Sequence, residues 1–174
     1  MEREARNRRK DTTTIPALQE LNIITMPTSY RQIFYHIVFR TENSEQTLPL
    51  EHNEELYRYV WGIVKNHKTR LFRINGMQEH VHMLTDLHPT VALAVFIQKI
   101  KTASSIWLKQ NPNFPCFRGW ANGYAALTCS WKDKDVIINY IMNQREHHKK
   151  ASFIDEYRLL LEASGVKIEE RYFP

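Results

Sequence analysis

The strongest constraint in this sequence is the order in which its hydrophobic period changes. Residues 31–40, RQIFYHIVFR, are β-branched and aromatic without Gly or Pro, which suits a buried strand. Residues 50–67 then place Leu56, Tyr59, Val60, Ile63, Val64 and His67 at steps of three and four, one face of a helix. RLFRING (70–76) returns to a strand ending in an Asn75-Gly76 turn signal, and HVHMLTDL (80–87) follows so closely that the two read as a hairpin. After Pro89, Thr90 is placed to cap a helix to about Gln110, with Val91, Val95, Ile100, Ala103 and Trp107 on its buried side. NPNFPCFRGW breaks that helix, and GYAALTCSW (123–131) is a fourth strand. Asp133 is placed to cap a helix through His148, and SFIDEYRLLLEAS (152–164) is a last helix ended by Gly165.

The order is β-α-β-β-α-β followed by two helices. It predicts an α+β, ferredoxin-like split βαβ fold: a mostly antiparallel four-stranded sheet with helices on one face, then a tyrosine-bearing helix and a further helix. Residues 1–25 lack such patterning and read as a flexible N-terminal extension to a domain spanning 26–174, with Met26 a candidate true start. The extension holds only +1 of the net +5, so the positive balance belongs to the domain and favours a polyanionic partner.

Composition narrows the function classes. A chain of 174 residues, 43% hydrophobic and 25% charged, suits one folded domain rather than a disordered or rod-like chain. The five glycines stand singly, so the GxxxxGK[ST] and GxGxxG loops are missing and no nucleotide cofactor is expected through them. Cys116 and Cys129 form no CxxC pair, which argues against a disulfide framework or a cysteine-rich zinc site. No apolar run approaches the roughly 18 residues of a membrane span, so no membrane partner is expected and the cytoplasm is the expected location.

Two clusters can carry chemistry. His80 and His82 flank Val81 in a strand, where the period of two turns both imidazoles to one face; that spacing suits chelation and equally a hydrogen-bonded structural pair. In YIMNQREHH, Tyr140 and Gln144 stand at i and i+4 on a helix, and a half-buried tyrosine beside a solvated amide would look the same. His147 and His148 read as the basic end of that helix, where positive charge suits the dipole, and His36 reads as a core histidine.

Taken together, the strand H-x-H, the later Y-x-x-x-Q helix, the strand order and the basic domain resemble the single-tyrosine HUH transposases of the smallest bacterial insertion sequences, U being a hydrophobic residue. These are related to the REP-associated tyrosine transposases. The tracts YHIVFR, EHVHML, GYAALTCS, YIMNQREHHKK and SFIDEYRLLL carry the resemblance over about residues 26–174, with Glu79 standing where such proteins often have Asp or Asn.

The resemblance implies that Tyr140 is the nucleophile and that His80, His82 and Gln144 bind one divalent cation, Mg²⁺ or Mn²⁺. It implies metal-dependent cleavage and strand transfer of single-stranded DNA through a 5′-phosphotyrosine, at hairpins bounding an insertion sequence. It further implies a homodimer whose active sites can be composite, in a prokaryotic cytoplasm and nucleoid-associated when acting. A nickase acting on repeated chromosomal palindromes, or a non-catalytic DNA-hairpin-binding regulator, are the alternatives. Lys65, Lys68, Arg70, Arg73, Lys132, Lys134, Arg145, Lys149 and Lys150 are the candidate phosphate contacts, with Lys99 and Lys101 on the second helix. Phe72, Phe117, Trp120 and Tyr124 are placed to stack on unpaired bases or to pack the core.

Overall fold

The computed structural model describes residues 30–67 and 69–174. The extension over 1–25, the start at Met26 and Lys68 therefore lie outside the described residues. Contacts divide the chain after Arg31, and the unit Gln32–Pro174 holds all the elements that follow.

Four strands, β1 (Phe34–Arg40), β2 (Arg70–Gly76), β3 (His80–Asp86) and β4 (Ala125–Cys129), form one sheet in the order β2-β3-β1-β4. Every neighbouring pair is antiparallel, as the split βαβ order predicts. β1 and β3 are central. Val38 is opposite His82 and Arg40 opposite His80, and His82 is also opposite Asn75 of β2, so the H-x-H tract lies on a central strand. Gly76 is required where β2 turns into β3: a Cβ there would lie 2.1 Å from the His80 carbonyl oxygen, closer than any side chain can approach.

Between the strands run α1 (Asn53–Asn66) and α2 (Leu93–Gln110). Leu56, Val60 and Val64 of α1 are buried at helical spacing, as predicted. On α2 the buried stripe is Phe96, Ile97, Ile100, Ser104 and Leu108, which keeps the expected Ile100, while Val91 and Trp107 are partly buried against the core and Val95 is exposed. Ala92 occupies the N-cap position, whereas Thr90 meets His88 Nδ1 at 2.7 Å and caps nothing. These helices pack on Ile37, Phe39, Val81 and Met83, the side chains of β1 and β3 that point to one face.

The opposite face is covered by the helices that follow β4, whose side the order of elements leaves open. α3 (Lys134–Met142), the single turn α4 (Gln144–His147) and α5 (Phe153–Ala163) follow β4. Ile141 of α3 packs on Phe34 and Leu84, while Phe153 and Leu161 of α5 pack on Val38, Ala125 and Leu127. The helix predicted from Asp133 to His148 is broken at Asn143, whose φ/ψ of −96°/22° leave the helical region. Asn75 of β2 holds this break in place, donating its side-chain amide to the carbonyls of Ile141 at 2.8 Å and Met142 at 3.0 Å. Asp133 stands at the N-cap of α3 without capping it; its carboxylate accepts from Ser130 instead. Ser152 does cap α5, accepting from the Asp155 amide, and Gly165 at φ +72° ends that region as predicted.

Candidate active site

On the α3–α5 face the pleat points His36, Val38, His80, His82 and Leu84 in one direction. His36, His80 and His82 are all at most 2% exposed, and so are far more buried than histidine usually is. Their ring nitrogens are arranged in a definite order. His80 Nδ1 lies 3.1 Å from Glu79 Oε1, and His82 Nδ1 lies 3.0 Å from His36 Nε2. A carboxylate only accepts, so the proton of a neutral His80 sits on Nδ1 and its Nε2 carries a lone pair. Both Nε2 atoms point at the space under α4 and α5.

That space is closed by Gln144 and Glu156. Gln144 is fully buried, and its amide donates to Glu156 Oε1 at 2.8 Å, which turns its Oε1 toward His80 Nε2 at 3.2 Å. Glu156 Oε1 also accepts from the Tyr140 hydroxyl, and Glu156 Oε2 accepts from His148 Nε2 at 2.7 Å. Glu156 Oε2 is 3.7 Å from His80 Nε2 and 3.8 Å from His82 Nε2. The break at Asn143 therefore does not separate Tyr140 from Gln144; both reach one carboxylate oxygen.

Charge follows burial here. Burial holds His36 neutral, lowering its pKa to about 4 against the attraction of Glu156. His82 is pushed well down by burial and by the neighbouring His80 and His36. For Glu156, burial would raise the pKa, but hydrogen bonds from His148, Tyr140 and Gln144 and the charge of His82 hold it far below the carboxylate range. Tyr140 is pushed far up, first by burial and then by the bond to Glu156. In His148 the pull of burial is more than reversed by Glu156, and its pKa rises.

The donor set fits a divalent cation. Among the described residues the His82 Nε2 atom is buried with no hydrogen-bond partner, a costly state for a polar atom. His80 Nε2 and Gln144 Oε1 face each other as two lone pairs at 3.2 Å, an arrangement that a cation between them would turn from repulsive to attractive. The ligand atoms of His80, His82 and Glu156 lie within 4.8 Å of one another, so the group could hold a metal ion.

A cavity of about 510 Å³ opens beside this cluster between α3 and α5, with Tyr140, His147, His148 and Glu156 on its wall and Lys150 among its lining residues. The predicted basic residues fall into two groups. Lys65, Arg70, Arg73, Lys132, Arg145, Lys149 and Lys150 have exposed side chains, of which Lys149 pairs with Glu146 and Arg145 donates to the Leu50 carbonyl. Lys134 instead lies against Trp131 at 4.1 Å and Phe72 at 5.6 Å, in a cluster where Arg70 also covers Phe72. Exposed Lys99 keeps its predicted place on α2, whereas Lys101 donates to the carbonyls of Ala121, Asn122 and Gly123 and so serves a loop. Phe117 and Trp120 belong to the core on the α1–α2 face.

Two residues of the cluster were missed in the sequence. His148 reads as a basic helix end, yet its side chain is 7% exposed and held by Glu156. Glu156 had a legible signal: it stands on the apolar stripe Phe153, Tyr157, Leu160 and Leu161 of α5, where a carboxylate needs partners.

The comparisons with known proteins agree with this geometry. The sequence model of the family described as "Transposase IS200 like" matches residues 29–144, more than half of the 174 residues. A protein of Deinococcus radiodurans R1 described as a transposase superposes with a TM-score of 0.50 and 26% identity, covering 67% of this chain and 95% of that one. A REP-associated tyrosine transposase, solved bound to a REP hairpin, superposes with a TM-score of 0.51 at 15% identity, covering 70% of this chain and 74% of that one; it shares the fold. No curated protein matches the sequence significantly. With its central H-x-H strand and the tyrosine helix packed over it, the chain belongs to the IS200-like family, the single-tyrosine HUH transposases.

Proposed function

We propose that this transposase cleaves and rejoins single-stranded DNA with Tyr140 as its nucleophile and a divalent cation, Mg²⁺ or Mn²⁺, held by His80, His82 and Gln144. The observation that carries the reading is the convergence of the Tyr140 hydroxyl with Gln144, His80 and His82 around the Glu156 carboxylate. When bound, the cation supplies Lewis-acid polarisation of the scissile phosphodiester. The chain's own residues do the rest. Glu79 and His36 orient the two imidazoles through their Nδ1 atoms, presenting Nε2 lone pairs. The Tyr140 oxygen attacks phosphorus, its proton passing to a base, and the departing oxygen leaves as a 3′-hydroxyl while the phosphorus stays on the tyrosine as a 5′-phosphodiester. Because one phosphoester replaces another, a later 3′-hydroxyl can reverse the step without a nucleotide cofactor.

The substrate we infer is a hairpin-bearing single strand. The REP-associated relative of the same fold was solved on a hairpin, and the exposed basic residues Lys132, Arg145, Lys149 and Lys150 surround the tyrosine segment. Lys65, Arg70 and Arg73 extend positive charge along the β2 side, where Lys68 also falls in sequence. That likeness also supports a second reading, a nickase acting on repeated palindromes with the same residues.

Tyr140, His80, His82 and Gln144 meet within one chain, which supports cleavage in cis; a homodimer with composite sites is the alternative. Mixing His80→Ala chains with Tyr140→Phe chains then restores no cleavage; recovered cleavage would show a composite site. The primary test incubates the protein with hairpin oligonucleotides from its own flanking DNA and Mn²⁺ or Mg²⁺. A covalent protein–DNA band is expected with the wild type and none with Tyr140→Phe; an equal band from the variant defeats the reading. Hairpins at both ends of a short mobile segment identify transposition, and scattered palindromes without one identify the nickase.

A further inference from the structure

Glu156 lies beyond residues 29–144, the part of the chain matched by the family, yet its carboxylate accepts hydrogen bonds from Tyr140, Gln144 and His148 at once. Resting on the function proposed above, we infer that Glu156 is the positioning residue of this active site: its carboxylate sets the Tyr140 hydroxyl and the Gln144 amide for catalysis, and His148 fixes the carboxylate.

The geometry is specific at both oxygens. Oε1 accepts from two groups at once, the Tyr140 hydroxyl and the Gln144 amide at 2.8 Å. A carboxylate has no proton to give at that oxygen, so the Gln144 NH₂ must face it and the Gln144 oxygen must face His80, 3.2 Å away. Without the carboxylate, the amide loses the contact that orients it, and either of its ends can turn toward the histidines. Oε2 is held by His148 at 2.7 Å and lies 3.7 and 3.8 Å from the two Nε2 atoms, so the same carboxylate places negative charge beside a bound cation.

Fold position makes this possible. Ser152 caps α5, and Phe153 stacks on the His80 ring with centroids 4.3 Å apart, anchoring the first turn of α5 over the H-x-H strand. Glu156 follows one turn later on the same face. The segment after the tyrosine helix is thus part of the active site, and truncating the chain before α5 would remove a working component.

Two measurements test this separately from the function itself. Mn²⁺ affinity of the full-length protein, measured by calorimetry, is expected to fall about tenfold or more in Glu156→Ala. The same variant should form the covalent DNA complex at least about a hundredfold more slowly, through kcat rather than KM, with hairpin binding unchanged. Glu156→Gln, which keeps an acceptor oxygen and the side-chain volume, should recover part of both losses even where the alanine variant folds poorly. Glu162→Ala, an exposed change on the same helix away from the cavity, should alter neither. Wild-type Mn²⁺ affinity and rate in both Glu156 variants would overturn the inference. So would a rate that rises, since the carboxylate would then be blocking the site. Failure of the function itself shows differently: a covalent complex that persists in Tyr140→Phe, whatever the metal affinities.

Discussion

The face of the sheet under α1 and α2 is sealed by Ile37, Val81, Met83, Leu56, Phe96 and Ile100, each at most 1% exposed. Beneath α3–α5 the same two central strands bury His36, His80 and His82, joined by Gln144 and Glu156 from the helices. A single strand serves both: in β3, Val81 and Met83 go one way, His80 and His82 the other. One face gains stability from every residue it buries, about 1.5–3 kcal/mol for a large apolar side chain. The other incurs desolvation for each polar group and returns it only through partners, leaving His82 Nε2 with none. The buried polar cluster is thus confined to one side of the sheet, which also holds apolar clusters around Ile141 and Phe153, and each side can be disturbed separately.

The largest separation should come from the apolar face. Phe96→Ala removes a fully buried ring and is expected to cost about 3–5 kcal/mol in denaturant unfolding. At temperatures where the variant is folded, its rate of covalent complex formation should match the wild type. A slowed rate in the folded protein would show that the two faces are coupled.

Metal addition should act on the polar face alone. Mn²⁺ at a hundred times its dissociation constant is expected to stabilise the wild type by about 2.7 kcal/mol, seen as a raised Tm. His82→Ala should lose that shift, and should also lower the metal-free stability by about 1–3 kcal/mol because it leaves the buried His36 Nε2 without its partner. An undiminished Tm shift in the variant would place the cation elsewhere.

Acid gives a graded effect. His36 is held neutral with a pKa of about 4 in the fold against its ordinary 6.5, so the unfolded chain binds more protons between those values. Stability contributed by keeping it neutral is therefore full above about pH 6.5 and declines as pH falls toward 4, by at most about 1.4 kcal/mol per pH unit. His82, lowered by burial in the same way, adds to the same slope. Metal-free unfolding followed from pH 7 to 4.5 in the wild type and in His36→Phe checks this, and an identical slope in both would remove His36 from the account.

The two faces also differ in how far they could be read from sequence. Periodicity alone located the elements that bury apolar stripes, because Leu56, Val60 and Val64 on α1 or Val81 and Met83 on β3 repeat at the period of their element. It misplaced the start of α2, where no side chain caps the helix, and ran α3 through Asn143, where the break is secured by Asn75 from a distant strand. Within the cluster, His80, His82, Tyr140 and Gln144 were legible through spacing and resemblance. His148 was not, and Glu156 showed only as a carboxylate on an apolar stripe, since their partners arise from α5 folding back over β3, a contact that spacing along the chain does not encode. Lys101 was misread for a similar reason: its three carbonyl partners come from a loop some twenty residues on.

The most direct measurement is the chemical identity of the protein–DNA link. After reaction of the full chain with a single-stranded hairpin and Mn²⁺, nuclease digestion and peptide mass spectrometry should find a nucleotide 5′-phosphate on the peptide containing Tyr140. No such adduct should form without the cation or in His82→Ala. An adduct on another residue, or one that forms equally well in metal-free buffer, would contradict the account.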